Sequence, residues 1–476
     1  MQNQSVIRGT SYLLLAQVSF LVTGYILQIG LGRVFGPALY GIYSVVVTVA
    51  TVFNLFLISG IPQATSKFVA EDPSQKDVVL RTSLLLSIVF SLIISGFIFF
   101  GAGYIAGFLN DLTLIPYIRI VAVMVISYGP FTIITAYFNG VKNYRTQSIL
   151  LGTYNFLKLV IIFILIFCGF SVGGAALGFA VSPVIPLIAG LYLIGFSILI
   201  GSYTYPVSKI IRFAVPIIIL SAAVNLVLSL DLFFVKAILI DNTLAGCYAA
   251  ASTIARIPYL LMWAVTAALF PAISACPGDT EKVRNYIRES TRYTLIILLP
   301  ITAMIASTAP SLVSLFYSSG YMAAADPLEI LVFGLCMFGI FALLTTIISG
   351  CNNPYMAMIM SVVVLIIDIG LNIILVPGSG ISGAALATTI ASFFGVIIAA
   401  AYVFYKYDTL MPLRSAVKIL ISSIFVYFTL IFFVLDGLWV VPGYALTLGV
   451  YVGLLYGMGE IQKKDIDRLK QLLPAK

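Results

Sequence analysis

The 476-residue chain contains no histidine, two tryptophans and only 9% charged residues. Without histidine it lacks the commonest metal ligand and the usual proton shuttle at neutral pH, which argues against most hydrolase chemistry. Cysteine is scarce. The five residues Cys168, Cys247, Cys276, Cys336 and Cys351 are odd in number, scattered and without a CxxC pair. A disulfide framework or thiolate metal site is not expected from such spacing, and no cofactor or metal site is indicated. A soluble domain carries roughly 25% charged residues, so a chain this poor in charge could not cover an aqueous surface.

What is there is apolar: 61% hydrophobic residues and a mean hydropathy of +1.13. Lipid must be the solvent for most of the chain, which excludes disorder and a cytosolic enzyme. The start, MQNQSVIRGT, runs into an apolar stretch without a small-residue cleavage site and reads as a first membrane helix, not a removed signal peptide. Fourteen segments have the length and apolarity of a spanning helix: roughly 10–31, 39–61, 82–106, 116–138, 147–168, 174–200, 212–234, 244–270, 293–317, 328–349, 355–376, 381–404, 415–435 and 438–458. That is about 34 residues per pass, which leaves no room for a soluble domain. Period-two alternation in blocks of about ten, the mark of an outer-membrane barrel, is absent. The expected fold is an all-α polytopic membrane protein with about 14 transmembrane helices.

Orientation follows from the basic residues, which concentrate on the cytoplasmic side of a membrane protein. Of the 25 lysines and arginines, 20 fall at the N-terminus, in the connections after even-numbered spans or in the C-terminal segment. Arg33, Arg119 and Lys236 lie on the other side, and Lys158 and Arg256 lie inside spans. Both termini are expected to be cytoplasmic, in a multi-pass protein of the cell membrane. The net charge of +8 then reflects this bias and anionic inner-leaflet lipid, with no need for nucleic acid. Ile461, Ile466, Leu469 and Leu472 in the polar 461–476 segment predict a short helix on the inner leaflet.

The chain repeats itself. VGGAAL (172–177) recurs as ISGAAL (381–386), Pro62 recurs as Pro271 and Gly140 as Gly350. Ile7-Arg8 matches Ile211-Arg212, and Gly41-Ile42-Tyr43 matches Gly246-Cys247-Tyr248. All these offsets lie between 204 and 210. The expected domains are an N-terminal lobe of six helices (1–205), a C-terminal lobe of six (206–410), two extra helices (411–460) and a cytoplasmic tail (461–476). Six is even, so both lobes insert alike and their pseudo-two-fold lies along the membrane normal. Duplicated bundles of this kind bind substrate between the halves and rock to expose it to each side in turn.

LGRVFGPALYGIYS (31–44), SGIPQATSKFVAED (59–72), YFNGVKNYR (137–145) and DIGLNIILVPGSGISGAALAT (368–388), in that order and spacing, resemble the lipid-linked oligosaccharide and polysaccharide flippases. These belong to the multidrug/oligosaccharidyl-lipid/polysaccharide exporter (MOP) superfamily, and the resemblance covers about the whole chain. It implies alternating-access flipping of a polyprenyl-(pyro)phosphate-linked oligosaccharide from the inner to the outer leaflet, for surface polysaccharide or glycan synthesis. It also implies a V-shaped pair of bundles around a central cavity, a monomer in membrane lipid, and glycan-assembly enzymes as partners. Some flippases that resemble this chain keep an arginine in the eighth span, where Arg256 stands here. They often carry further arginines in the first two spans, where this chain offers Gln17, Gln28 and Asn54.

An ionisable group inside a membrane helix costs roughly 2.5–3.5 kcal/mol on insertion scales, so it faces a cavity or a partner. Lys158 in the fifth span, Arg256 in the eighth and Asp368 in the eleventh are candidate cavity groups, joined by Asn54 and Gln28. A lipid diphosphate in a low-dielectric cavity needs fixed positive charge, which Arg256 and Lys158 would supply; the bland alternative is a structural ion pair. Lys158 and Asp368 are equivalent at an offset of 210 and could meet between the halves. Asp231 is a candidate for a coupling proton or Na⁺, against a plain pair with Lys236 one turn away. Arg33 could simply snorkel. Among the prolines that interrupt spans, Pro216 is the candidate hinge. Gly449, Gly453 and Gly457 make a face suited to close packing, by default against another helix such as the thirteenth span.

The alternative function is a cation-coupled multidrug exporter of the same superfamily, which would want an acidic site in the N-terminal lobe. No mid-membrane carboxylate occurs in the first six spans. A major-facilitator carrier would show a GxxxDRxGRR-like loop after the second span, which is missing. A membrane glycosyltransferase would need a large outer loop, and all outer loops are short. The chain is not expected to be an enzyme.

Overall fold

The structure, a computed structural model, describes residues 2–199, 204–274, 280–351, 353–433, 435 and 437–461. The tail helix expected over 461–476 therefore lies outside the described residues, apart from Ile461. The described chain is helical throughout, and contact patterns divide it into two compact units, Met1–Gly246 and Cys247–Lys476.

In the first unit α1 (Gln2–Ile58), α2 (Ile61–Glu71), α3 (Lys76–Phe108), α4 (Ile115–Gly140) and α5 (Tyr144–Leu165) come first. They are followed by α6 (Ser171–Val181), α7 (Val184–Ile194), α8 (Val207–Val227), α9 (Leu230–Leu239) and the start of α10 (Asn242–Ala255). The second unit continues with α11 (Ile257–Ser274), α12 (Thr280–Ser307), α13 (Ala309–Phe316), α14 (Ala325–Gly350), α15 (Pro354–Tyr407), α16 (Leu413–Phe432) and α17 (Val440–Gly457). Among the described residues, 10 helical stretches are long and apolar enough to cross a membrane.

Three of those stretches are too long for one crossing: Tyr12–Glu71 has 60 residues, Tyr144–Ile194 has 51 and Pro354–Tyr407 has 54. A straight helix of 60 residues would measure about 90 Å, three times the hydrocarbon thickness of about 30 Å. The backbone breaks inside each one. Gly36 (φ 70°), Gly169 (φ 92°) and Gly380 (φ 58°) adopt left-handed angles that a side chain resists.

The breaks and close contacts repeat with the sequence. Gly169 precedes VGGAAL and Gly380 precedes ISGAAL. A Cβ on Gly174 would meet the Leu165 backbone at 3.2 Å, and one on Gly383 would press on the Leu375 backbone. These are the same two positions in each repeat. A left-handed turn also falls at Ile240 (φ 57°), beside Asp241, the equivalent of Gly36 at the local offset of 205, and here a branched side chain adopts it. That conformation costs a branched residue on the order of 1–2 kcal/mol. Ile240→Gly is expected to stabilise the protein by about 1 kcal/mol, read as a higher midpoint of thermal unfolding in detergent.

The interior of each unit is knit by small residues. Gly129 of α4 lies against Ser91 and Ser87 of α3, Gly140 lies against Ser66 and Val69, and Gly395 of α15 lies against Phe341 of α14. Such contacts let backbones approach where lipid supplies no hydrophobic drive. In the second unit α16 and α17 close on α12 through Met304, Ile419, Val426, Tyr451 and Leu455. The exterior is apolar too: Phe100, Phe167, Ile374, Phe432 and Tyr405 stand exposed, as expected of a surface that meets lipid tails. The glycine face of α17 departs from the packing expectation. A Cβ on Gly449, Gly453 or Gly457 would meet no described atom within 4 Å, because α17 packs through Tyr451 and Leu455 instead.

Candidate functional site

The charges that the sequence places inside spans fall in different settings. Lys158, on α5, is 7% exposed. Its ammonium lies 5.2 Å from the Tyr154 ring centre, 5.2 Å from Phe179 of α6 and 5.8 Å from Phe20 of α1. No carboxylate or hydrogen-bond acceptor among the described residues engages it. Ring faces attract a cation by about 0.5–1 kcal/mol at exposed sites and about 2 kcal/mol when desolvated. They replace only part of the several kcal/mol of hydration that an enclosed ammonium forgoes. The sequence showed a lysine in an apolar helix; only the approach of α1 and α6 to α5 makes the cage.

Other polar groups in the first unit are also incompletely satisfied. Asn155 Oδ1, Asn54 Oδ1 and the Tyr43 hydroxyl are buried and accept or donate no hydrogen bond among the described residues. Asn54 directs its amide nitrogen at Met124 Sδ, 3.8 Å away. Gln28 is spent locally, since Tyr40 donates to its Oε1 at 3.1 Å across the Gly36 break. Pro216 sits inside α8, on a helix whose Ala214 carbonyl and Ile218 side chain crowd Gly60 at 2.7 Å and 2.6 Å from its would-be Cβ.

Asp231 is buried in the first turn of α9. Lys236, one turn further on, is itself held by groups from other segments. Lys236 is 1% exposed and donates to Asp111 Oδ2 at 2.8 Å, and also to Asn242 Oδ1. Beside it Asn110 donates to the Ala237 carbonyl at 2.9 Å. The short α3–α4 connection is thus tied to the end of α9 and the start of α10. Nothing in the sequence marked this pairing across 125 residues; the only local sign was Asp111-Leu112-Thr113, where the carboxylate caps the Thr113 N–H.

Partial burial works against ionisation of Asp111, but hydrogen bonds from Lys236 and Thr113 outweigh it and hold the carboxyl below the usual range. A group with a lowered folded value contributes stability above its unfolded value, near 3.9, and loses it as pH falls through the folded value. Thermal stability is therefore expected to drop on acidification below about pH 4, less so in Asp111→Asn. At neutral pH Asp111→Asn should itself cost about 2 kcal/mol, because it leaves Lys236 buried without its counter-charge.

In the second unit Arg256 occupies the break between α10 and α11 and not a continuous helix over 244–270. Pro258, two residues on, has no N–H to give to the preceding turn, and the chain resumes with Leu260 N–H donating to the Arg256 carbonyl at 3.0 Å. Asp368 is fully buried on α15, one turn before Asn372, whose amide donates back to the Asp368 carbonyl at 3.0 Å.

A basic ladder runs along α12. Arg284 donates to the Tyr407 carbonyl at 2.6 Å and Arg288 to Thr409 Oγ1 at 2.7 Å. Arg292 donates to Glu460 Oε1 at 2.7 Å and to the Glu460 carbonyl. Lys418 donates to the Met458 carbonyl at 2.7 Å and lies 3.8 Å from Glu460 Oε2. The four-residue spacing, legible in the sequence, puts all three arginines on one helix face.

Comparison with solved structures places this helical arrangement among known transporters. The lipid II flippase MurJ in an inward closed conformation matches with a TM-score of 0.77 at 16% identity, over 94% of this chain and 99% of that one. An inward-facing multidrug resistance MATE family transporter of the MOP superfamily matches at 0.65 and 19% identity, over 84% of this chain and 94% of the other. The fold is therefore shared with these solved structures.

The family profile described as "Polysaccharide biosynthesis protein" matches residues 31–326, and the chain belongs to that family. The uncharacterized membrane protein MJ1375 of Methanocaldococcus jannaschii is 23% identical over 410 residues, 82% of this chain and 95% of its own length. A protein named as a probable low-salt glycan biosynthesis flippase, Agl15 of Haloferax volcanii, is 22% identical over 167 residues, 35% of each chain.

Proposed function

We propose that this membrane protein flips a polyprenyl-(pyro)phosphate-linked oligosaccharide from the inner to the outer leaflet by alternating access. The observation that carries the reading is Lys158, a basic side chain enclosed in spanning helices with no carboxylate engaging it among the described residues. A transporter of cations would place negative charge there, whereas an anionic headgroup needs positive charge in a dry cavity. Residues 12–199 bury no carboxylate among those described, which favours the flippase over the cation-coupled drug exporter. The flippase names of MurJ and Agl15 and the family of polysaccharide biosynthesis proteins point the same way.

In this reading fourteen spans form two six-helix lobes, 1–205 and 206–410, with two further helices. The three over-long stretches, each broken by a glycine, and the α10–α11 pair support that number when added to the 10 apolar stretches. Both termini face the cytoplasm, as the 20 basic residues on that side suggest. Arg256 and Lys158 hold the phosphate, with Asp368, Asn54 and Gln28 on the cavity wall. Asp231 serves a coupling ion and Pro216 bends during closure.

Charge-assisted hydrogen bonds are worth about 1.5–3 kcal/mol, so Lys158→Ala and Arg256→Ala should each lower flipping by roughly ten- to a hundredfold. The check is complementation of a flippase-deficient glycan pathway, with membrane insertion confirmed in parallel. Wild-type complementation by the double variant would falsify the cationic cavity.

A further inference from the structure

The surroundings of Lys158 are unlike those of a lysine built to hold an anion permanently. Such a lysine keeps an acceptor or a water-facing position at rest. Here three rings close around Nζ, from α1 (Phe20), α5 (Tyr154) and α6 (Phe179). The titratable groups behind them are phenols. Tyr128 of α4 lies 5.5 Å from Tyr154, and Tyr43 of α1 is close enough to interact with it electrostatically. From α7 there is only Tyr192, which is exposed. One turn before Lys158, Asn155 Oδ1 is buried without a donor. Among the described residues no fixed negative charge near Lys158 favours its charged form, and rings also accommodate a neutral amine.

We infer that Lys158 changes protonation during the cycle, taking up one proton when the lipid-borne diphosphate enters the first unit and releasing it when the anion leaves. This rests on the flippase reading above and assigns the regulation of its binding site. The balance is simple: the neutral amine accepts a proton from water or buffer, no covalent bond to substrate forms, and the ammonium then pairs with a phosphate oxygen. Substrate entry is thereby linked to proton entry without any carboxylate in the N-terminal spans. This proton linkage is separate from the ion proposed for Asp231 and is carried by a base loaded together with its substrate.

The linkage is measurable with purified protein in lipid nanodiscs and farnesyl diphosphate as the probe. Isothermal titration in two buffers of different ionisation enthalpy gives the protons taken up per ligand bound. Wild type is expected to take up more protons per ligand bound than Lys158→Arg, whose guanidinium stays charged, with the excess rising toward one as pH is raised from about 7 to about 9. Lys158→Met should bind roughly tenfold more weakly and lack the same proton. Circular dichroism melts establish that both variants are folded. If wild type and Lys158→Arg bind with equal proton uptake, the protonation proposal is wrong while the phosphate-binding reading stands. If folded wild type binds no farnesyl diphosphate at any pH in this range, both fall together.

Discussion

Gly41→Val and Gly246→Val are each expected to abolish function and to lower the stability of the folded protein by about 3 kcal/mol. A Cβ on Gly41 would overlap the Asn242 carbonyl oxygen and lie 2.9 Å from Gly246 N; one on Gly246 would overlap the Pro37 carbonyl and lie 3.0 Å from Gly41 N. Every obstructing atom is backbone, so no rotamer change relieves the overlap. The second half of α1 and the start of α10 must separate by the thickness of a methyl group or more. Tyr40 and Tyr43, fully buried beside this crossing, would lose their packing. Gly41→Ala should show the same defect in milder form. Thermal unfolding in detergent measures the stability loss, and complementation measures function. Valine variants with wild-type melting points would mean that the two backbones do not meet.

Glu460→Ala is the second large effect, expected to cost about 3 kcal/mol. Glu460 is 5% exposed and receives Arg292 from α12 while Lys418 of α16 stands close by. Its removal takes the shared carboxylate away from both cations at the end of α17. Partial exposure of Arg292 and Lys418 moderates the penalty. Limited proteolysis should show α16 and α17 released from α12 before the rest unfolds. The companion variant Glu460→Leu with Arg292→Met should recover much of the loss, because an apolar pair of similar volume has no charge to strand. An equal loss in the double variant would place the energy in packing and not in the ion pair.

Much of the fold was legible because lipid imposes one rule on every span: about twenty apolar residues with backbone bonds made internally. The repeat was legible for a related reason. Positions such as Gly174 and Gly383, or Gly36, are fixed by backbone crowding or by a left-handed turn, and such needs persist when side chains drift. Helix boundaries were less so. Arg256 reads as mid-helix, yet Pro258 breaks the helix there, and a new helix, α2, starts after Gly60 and runs to Glu71 because Pro62 can start a helix as readily as end one.

The amino-acid sequence alone determined the solvent, the all-helical class, the duplication and the few charges that lie inside spans. Each depends on composition or on spacing along one chain. The partners of those charges were decided only by the tertiary structure. Lys236 meets Asp111 across 125 residues and Arg292 meets Glu460 across 168. Lys158 meets rings from three helices and no carboxylate among the described residues. A charge states its need for a partner in one letter of sequence. Which group answers it is settled by helix packing, because the nearest group in space is seldom the nearest in the chain.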